Sequence, residues 1–473
     1  MQNRRSFFKI FGITLGGFPW IKAELFSFTK NEIHFTNGFK IAEVDSHSAL
    51  LWTRLCGQEK PNPIRHTRKE TVFRHPLNFD ENTPVQELDG GVSGTSGLVR
   101  AVLTAQNESY ESEWHSAKAE HDFTVKIPFE KLRPNTSYAL RWEAKTHENG
   151  PVSTFSGRFK TAPDEHISKP IRLVTSTCQY FWSFDHASRG FRTYDSMRAL
   201  SPDFFIHTGD YVYYDKPGPL AKDRDKARHK WHAMNAWPAL IDLFKSTPIY
   251  MAKDDHDLLR DDAYPNSPIY GELTFNDGLN IWHENAPIHN KPYRTFRWGK
   301  DLQFWLVEGR EFRTPNPEPD GPDKSIWGNA QKEWLDKTLK ASDATFKILF
   351  SPTPIIGPDR EKKSDNHANK TFYTEGEWLR KYLSEFPNLF VVNGDRHWQY
   401  VSVDPETGLT EFSSGPVSDA HAQGWDPQDY RPEHRFLRVK GGFLEIEVSN
   451  QQIVFTHHDV NGHIVHQEKR TAV

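Results

Sequence analysis

The sequence predicts an all-β sandwich followed by an α/β layered domain, which makes the chain as a whole an α/β protein. Between residues 35 and 162, short strand-like segments alternate with turn residues, a spacing typical of β-sandwiches. After Pro170, apolar strands alternate with helical segments, which is typical of layered α/β domains. Residues 162–170 contain two prolines and mixed charges and predict a linker. We therefore place the sandwich domain at residues 30–163 and the second domain at residues 170–465.

Three segments favour the sandwich in the first half. Residues 96–103 and 122–127 are rich in apolar and β-branched side chains and are bounded by turn residues. Residues 132–142 combine a Pro-Asn turn with a following strand, a pattern common in fibronectin-like and immunoglobulin-like sandwiches. This half does not collect the residue types that chemistry needs, so we look for the active residues in the second half.

The second half contains the layered pattern. Helices are predicted at residues 194–200, 329–340 and 376–386, where apolar side chains recur at helical spacing. A hairpin is predicted across residues 443–448 and 452–457. The remaining predicted strands are residues 171–175, 203–207, 247–252, 302–307, 346–350 and 389–392.

Composition restricts the function classes. The formal net charge is −4 over 473 residues, and we find no basic stripe, so the sequence does not predict a nucleic-acid-binding module. The two cysteines, Cys56 and Cys178, are too few for a disulfide framework. Stability must therefore come from burial and from bound metal.

The N-terminus predicts export. Arg4 and Arg5 precede a moderately apolar run at residues 10–21, and together they resemble a twin-arginine signal peptide over residues 1–25. An ordinary basic N-terminus is the alternative. The signal would make the twin-arginine export machinery a partner and the protein periplasmic or secreted. The apolar run is too short for a stable membrane span, and no other stretch approaches that length.

Potential metal ligands follow four strands of the second domain. They are Cys178, Asp210 in a Gly-Asp-Tyr-Val-Tyr segment, Asp255 in an Asp-Asp-His-Asp segment, and Asp395 with His397 in a Gly-Asp-Arg-His segment. A single such residue is more often a turn former. Ligands in open α/β sheets gather outside the carboxyl ends of strands, so four of these sites in one domain predict a common metal site.

These motifs resemble those of the calcineurin-like metallophosphatase superfamily and, within it, the PhoD-like alkaline phosphatase D family. Cys178 stands where the superfamily pattern has Asp, Asp255 stands where it has Asn, and the segment from Gly394 to His397 replaces its Gly-His-x-His. Tyr213, three residues after Asp210, belongs to the same branch. The resemblance implies a four-layer metallophosphatase β-sandwich flanked by helices, preceded by the sandwich domain.

The resemblance also implies the metals. Carried over by position, it assigns one ion, ferric iron in this family, to Cys178, Asp210, Tyr213 and His397. Thiolate and phenolate are anionic ligands that suit such an ion. Asp210 is expected to bridge to a second ion held with Asp255 and Asp395. Oxygen ligands favour a hard cation, for which the family precedent is Ca2+, although another divalent metal would also fit.

Three residues are candidates for contact with substrate. Two adjacent cations would supply a metal-bound hydroxide that attacks a phosphate ester. His256 would contact the phosphoryl group or protonate the leaving oxygen; its alternative role is to cap the turn. Arg310 and Arg396 would contact phosphate, because guanidinium matches phosphate bidentately; their alternative role is in ion pairs.

A polar loop stays unassigned at this stage. Residues 351–369 follow a strand, pass through a proline-rich turn and reach Asp365, Asn366 and His367. These three would form a substrate loop or an additional source of metal ligands. A solvated polar loop is the alternative.

The predicted function is an exported, metal-dependent phosphoesterase acting on phosphate monoesters, diesters or both. One alternative is a phosphodiesterase or phospholipase D-type enzyme acting on lipid or polymer head groups or on nucleotides. Another is a secreted, non-catalytic glycan-binding protein with structural metals, and a sulfatase-like activity is a third. Assays on matched monoesters and diesters distinguish the first alternative from the predicted function, and a lack of turnover on every phosphate ester would favour the glycan-binding protein.

Overall fold

The computed structural model of the chain describes residues 32–289 and 291–473. The predicted signal peptide, residues 1–25, lies outside these residues. The strands are, in chain order, β1 (Phe39–Ala42), β2 (Ala49–Arg54), β3 (Gly97–Ala105), β4 (Glu108–Glu111), β5 (His115–Ala117), β6 (Thr124–Phe129), β7 (Ser137–Lys145), β8 (Ser153–Lys160), β9 (Ile171–Ser176), β10 (Phe204–His207), β11 (Ile249–Met251), β12 (Arg294–Trp298), β13 (Leu302–Leu306), β14 (Phe346–Ser351), β15 (Leu389–Asn393), β16 (Gln399–Val403), β17 (Thr410–Ser414), β18 (His434–Arg438), β19 (Gly442–Ser449), β20 (Gln452–Asp459) and β21 (Ile464–Thr471).

The α-helices have recognisable start signals. The Asp223 side chain caps the second helix by accepting a hydrogen bond from the Lys226 N–H, and Thr274 with Asp277 forms a capping box on the fourth. The helices are α1 (Arg192–Ala199), α2 (Arg224–Asn235), α3 (Pro238–Phe244), α4 (Phe275–Asn285), α5 (Gly328–Lys340) and α6 (Tyr373–Ser384).

The strands form three sheets. A nine-stranded sheet has the order β21-β20-β19-β9-β10-β11-β1-β2-β6, and a seven-stranded sheet has the order β12-β13-β14-β15-β17-β16-β18. A smaller sheet has the order β4-β3-β7-β8, with β5 paired to β3. Strands β9, β10 and β11 run parallel to one another, as do β13, β14 and β15.

The two large sheets pack face to face between two layers of helices. Phe204 of β10 meets Phe304 of β13 with ring centroids 5.2 Å apart, inside one continuous apolar core. The outer face of β9–β11 packs on α1 to α4, and that of β13–β15 packs on α5 and α6. The parallel strands are buried on both faces, which explains their nearly continuous apolar sequences. This helix-sheet-sheet-helix order agrees with the four-layer arrangement that the resemblance implies.

The first half of the chain differs from the predicted free-standing sandwich at residues 30–163. Strands β1, β2 and β6 extend the nine-stranded sheet, with Ala42 of β1 paired to Ile249 of β11. The small sheet packs Val99 and Trp142 into the same core as Phe204. An open edge at β11 would present unpaired backbone groups, and β1 covers it. Residues 162–170 therefore join two halves of the chain that share one hydrophobic core.

Most predicted elements of the second half are present, with ends shifted by a few residues. The helix predicted at 376–386 begins earlier, at Tyr373, and the hairpin is β19–β20. Sequence reasoning missed α2, α3 and α4; in α2, buried polar residues such as His229 and Lys230 interrupt the apolar periodicity. Across residues 32–289 and 291–473, we find no helix with the length and apolar character that crossing a bilayer requires.

Candidate metal centre

The ligand-bearing loops follow β9, β10, β11 and β15, at strand ends drawn from both large sheets. Gly394 allows the two sheet ends to approach each other, since a Cβ there would lie 2.5 Å from the Thr208 carbonyl oxygen. Cys178, Asp210 and Asp395 all adopt positive φ, at 53°, 58° and 62°. Left-handed backbone is costly for residues other than glycine and is found where a site requires it.

Four predicted ligands of the first ion lie together. The Tyr213 hydroxyl donates to Asp210 Oδ2 at 2.9 Å and lies 3.4 Å from His397 Nε2. Cys178 Sγ lies 3.4 Å from the same Asp210 oxygen. Ligand atoms of Cys178, Asp210 and His397 are mutually within 4.8 Å. The structure therefore brings the whole predicted set into one buried pocket.

The predicted ligands of the second ion meet Asp210 in separate groups. Asp210, Asp255 and His256 form one group of ligand atoms within 4.8 Å, and Asp210, Asp254 and Asp395 form another. Among the described residues, Asp210 thus belongs to three of the four such groups, and the fourth, Asp255 with Asp261 and Asp262, adjoins them through Asp255. We call the following residues the Asp210 cluster: Cys178, Asp210, Tyr213, Asp254, Asp255, Asp395 and His397.

The electrostatics of the Asp210 cluster indicate negative charge that nearby cations compensate only in part. Although burial acts against ionisation, Arg310 and His256 hold the pKa of Asp255 well below its usual range. Other members of the cluster are not held so. Burial raises the pKa of Asp210 to about 7, although the charge of His256 acts in the opposite direction. Burial likewise raises the pKa of Asp254 to about 8. It also raises the pKa of the Cys178 thiol and of the Tyr213 phenol well above their usual values. A cation placed among these groups would favour all four ionised forms.

The donor atoms fit a bound metal. Asp210 Oδ1 and Asp254 Oδ2 are buried and accept no hydrogen bond, and buried carboxylate oxygens are rarely left this way. Sulfur, phenolate and imidazole donors on one side of Asp210 suit a transition-metal ion. Carboxylates on the other side suit a hard cation.

His256 is held by a carboxylate. Its Nδ1 lies 2.7 Å from Asp215 Oδ1, and its ring packs 4.5 Å from that of Tyr213. Burial alone would lower the pKa of His256, but Asp215, Asp255 and Asp210 raise it well above its usual value. The turn is capped by the reciprocal hydrogen bonds of Asp254 and Asp257, so the alternative role of His256 as the cap is wrong.

Arg310 and Arg396 are fully buried in ion pairs. Arg310 Nε lies 2.5 Å from Asp254 Oδ1, and its Nη2 lies 3.6 Å from Asp255. Arg396 Nη1 donates to Asp359 Oδ1 at 2.7 Å, and its other terminal nitrogen contacts Asp395. The geometry favours the ion-pair alternative for both arginines. They hold the carboxylates of the Asp210 cluster in place.

The three candidate residues of the 351–369 loop are neither solvated nor part of a metal group. Asp365, Asn366 and His367 are all buried. His367 Nε2 lies 2.9 Å from Glu375 Oε2, and the Asn366 amide donates to Asp359 at 2.7 Å. In the part of the chain that the structure describes, none of the three belongs to a group able to hold a metal ion. The solvated-loop alternative is therefore also wrong.

We call the buried set around this loop the Asp365 cluster. Asp365 Oδ2 lies 3.4 Å from Lys363 Nζ and 3.6 Å from Arg396 Nη2. Although burial acts against ionisation, Lys363 and Arg396 hold the pKa of Asp365 well below its usual range. The members of the cluster are Asp359, Lys363, Asp365, Asn366 and Arg396.

Sequence reasoning missed two residues of the site. One is Asp254, which sequence reasoning treats only as the neighbour of Asp255. The pair of adjacent aspartates was the signal that could have identified it as a second potential ligand. His421 packs its ring 4.4 Å from that of His397 and 5.1 Å from that of Tyr213. Its Nε2 is buried and forms no hydrogen bond. No apolar strand ends just before His421, so the strand-end pattern gave no signal for it.

Comparisons with known proteins point to one family. A family model described as PhoD-like phosphatase matches residues 173–472. The chain is 23% identical over 358 residues to alkaline phosphatase D of Bacillus subtilis (strain 168), covering 67% of this chain and 55% of that protein. It is 29% identical over 151 residues to purple acid phosphatase 3 of Arabidopsis thaliana, covering 32% of this chain and 38% of that protein. The chain thus spans about half, or less, of these curated relatives.

Two solved structures share the fold. The structure of PhoD superposes with a TM-score of 0.68 at 16% identity, covering 92% of this chain and 89% of that chain. A purple acid phosphatase from yellow lupin (Lupinus luteus) seeds superposes with a TM-score of 0.61 at 12% identity, covering 92% of this chain and 74% of that chain.

Proposed function

Because this chain belongs to the PhoD-like phosphatase family, we propose that it is a metal-dependent phosphoesterase that hydrolyses phosphate monoesters, diesters or both. One observation carries the proposal. Asp210 is shared by three groups of ligand atoms, and one of its oxygens is buried without a hydrogen bond. A carboxylate that faces two ligand sets can hold two ions side by side.

The proposed metals follow from the donor atoms. Cys178, Tyr213 and His397 would hold ferric iron on one side of Asp210. On the other side, Asp255 and Asp395, together with Asp254, would hold Ca2+ or another hard divalent cation. When bound, such a pair of ions activates water and neutralises the charge that builds on the phosphoryl oxygens.

His256 is the proposed proton donor. Asp215 occupies its Nδ1, and Nε2, which lies 3.8 Å from Asp261 Oδ1, is the nitrogen proposed to face the substrate. The oxygen of water forms the new bond to phosphorus, and the bond from phosphorus to the ester oxygen breaks. His256 protonates the departing oxygen and regains its proton from solvent.

The two arginines are proposed to act through the carboxylates and not on phosphate. Arg310 fixes Asp254 and lies near Asp255, while Arg396 contacts Asp395. By holding these side chains in single positions, the guanidinium groups reduce the reorganisation needed when the ions and substrate bind.

Export by the twin-arginine route stays a prediction of the sequence. It is supported by Arg4, Arg5 and the apolar run that follows them. Replacing both arginines with lysine is expected to retain the protein in the cytoplasm, and fractionation of cells would measure this.

Turnover assays test the function directly. Metal-replete protein is expected to hydrolyse 4-nitrophenyl phosphate, bis(4-nitrophenyl) phosphate or both. The absence of turnover on every phosphate ester tried would contradict the proposal and favour the glycan-binding alternative.

The proposed role of His256 has its own test. His256→Ala is expected to lower kcat for an alkyl phosphate by on the order of a hundredfold. The loss for 4-nitrophenyl phosphate should be much smaller, because that leaving group departs without a proton. Equal losses on both esters would remove His256 from the proton-donor role.

A further inference from the structure

A hairpin from the first half of the chain reaches the metal centre. Across residues 67–77 the Lys69 N–H donates to the His75 carbonyl at 3.0 Å, and the Leu77 N–H donates to Thr67 at 2.8 Å. Phe73 lies at its tip with a positive φ of 54°. We call residues 67–77 the tip hairpin. It lies outside the segment that the family model matches, residues 173–472.

The tip hairpin is anchored on the segment that follows Cys178. Arg68 donates to the Trp182 carbonyl at 3.0 Å, and Arg74 donates to the Phe184 carbonyl at 2.8 Å. The His75 ring nitrogen lies 3.1 Å from the Tyr180 hydroxyl. Since Tyr180 is only two residues from Cys178, these contacts fix the hairpin relative to the metal ligands.

A third anchor lies at the tip itself. The Phe73 N–H donates to the Ala420 carbonyl at 2.7 Å, next to His421. The Phe73 ring packs with its centroid 4.9 Å from that of His421 and 5.9 Å from that of His397. Phe73 therefore stands directly beside a proposed ligand of the iron site.

The tip hairpin and the residues behind it form an aromatic surface beside the metal centre, and part of this surface is exposed to solvent. Phe73 and His75 are half-buried, whereas Tyr180 and His421 behind them are buried. Phe73 is 6.4 Å from Tyr180 between ring centroids, and the Lys216 ammonium lies 5.5 Å from the Phe73 ring centre. Accessible ring surface next to a reaction centre favours a planar, apolar group on the bound ligand.

We propose that the tip hairpin selects the alcohol part of the substrate, and that Phe73 contacts an aromatic ring there. The preferred esters would be phosphates of ring-bearing alcohols. If the substrate ring carries a negatively charged substituent, the Lys216 ammonium beside Phe73 could pair with it. This inference rests on the proposed phosphoesterase function. It goes beyond that function by assigning a substrate class and a residue from the first half of the chain that determines it.

The test compares two esters whose alcohols have similar acidity, 2-phenylethyl phosphate and n-butyl phosphate. Wild-type protein is expected to show a kcat/KM about fivefold higher for the ring-bearing ester, since an aromatic contact contributes about 1 kcal/mol beyond its buried area. In Phe73→Leu, which keeps an apolar side chain, this ratio should fall towards one, and Phe73→Tyr should restore it. Val72→Ala, at the exposed neighbouring position, is the matched control and should leave the ratio unchanged.

Results of three kinds would count against the inference. A wild-type ratio near one, or an unchanged ratio in Phe73→Leu, would overturn the proposed selectivity. If Phe73→Leu lowers kcat/KM equally for both esters and also loses bound metal, Phe73 only supports His397. Failure of wild-type protein to hydrolyse either ester would contradict the phosphoesterase function itself, which separates that outcome from the other two.

Discussion

The Asp210 cluster and the Asp365 cluster are both buried sets of carboxylates, yet the charges of their central carboxylates, Asp210 and Asp365, are compensated in opposite ways. In the Asp365 cluster, Lys363 and Arg396 stand beside the carboxylate and hold its pKa down. In the Asp210 cluster, burial raises the pKa of Asp210 to about 7, and one of its oxygens has no partner. The difference teaches that an internally compensated network is structural, whereas an uncompensated one needs a cation from outside.

The largest expected effect is that of Asp210→Ala. If Asp210 is the carboxylate shared by both ions, its removal should lower kcat/KM for phosphate esters by at least about a thousandfold, because two-ion catalysis loses its bridge. Steady-state kinetics with excess metal would measure the loss, with circular dichroism as the control for folding. Activity close to wild type would contradict the shared role.

Asp365→Ala should instead lower the stability of the fold and leave metal binding unchanged. Removing one partner of a buried ion pair typically costs about 3–5 kcal/mol, and the loss here should lie at or below that range because Arg396 keeps Asp359 and Lys363 keeps Asp262. Chemical denaturation is expected to show this loss in the free energy of unfolding, while the metal content stays at the wild-type level. Loss of metal without loss of stability would break the distinction between the two clusters.

Metal removal sharpens the comparison further. Ions bound at a hundred times their Kd stabilise the folded state by about 2.7 kcal/mol, so a chelator should lower the free energy of unfolding by at least that order. The same decrease is expected in Asp365→Ala and no decrease in Asp210→Ala. A chelator effect that survives in Asp210→Ala would place the stabilising ions elsewhere.

The smallest expected effect is that of Tyr213→Phe. A phenolate on ferric iron should give visible absorbance, which this substitution would weaken or shift while the fold is retained. The Tyr213 hydroxyl lies 2.9 Å from Asp210 and 3.4 Å from His397, so its loss removes one ligand and leaves the others. Spectrophotometry of the purified variants makes the measurement, and an unchanged spectrum would remove Tyr213 from the iron site.

The predicted ligands that the structure brings together share a local signal. Cys178, Asp210, Asp255 and Asp395 each come shortly after an apolar strand, and parallel strands bring their carboxyl ends to one edge. The strands themselves were recognisable because they are buried on both faces. The four-layer fold was implied by the resemblance, not by these patterns alone.

The residues that were missed or misassigned depend on contacts between distant parts of the chain. Phe73 reaches His397 only because β1 and β2 join the nine-stranded sheet and carry the first half of the chain to the site. Asp365 resembles a ligand in the sequence, and only the positions of Lys363 and Arg396 show that its charge is already compensated. Spacing along the chain does not encode such pairings.

Anomalous diffraction from crystals of metal-replete protein tests the central claim most directly. Two ions are expected, one beside Cys178 and one beside Asp255, both in contact with Asp210. A single ion, or an ion lodged in the Asp365 cluster with none on Asp210, would contradict the account.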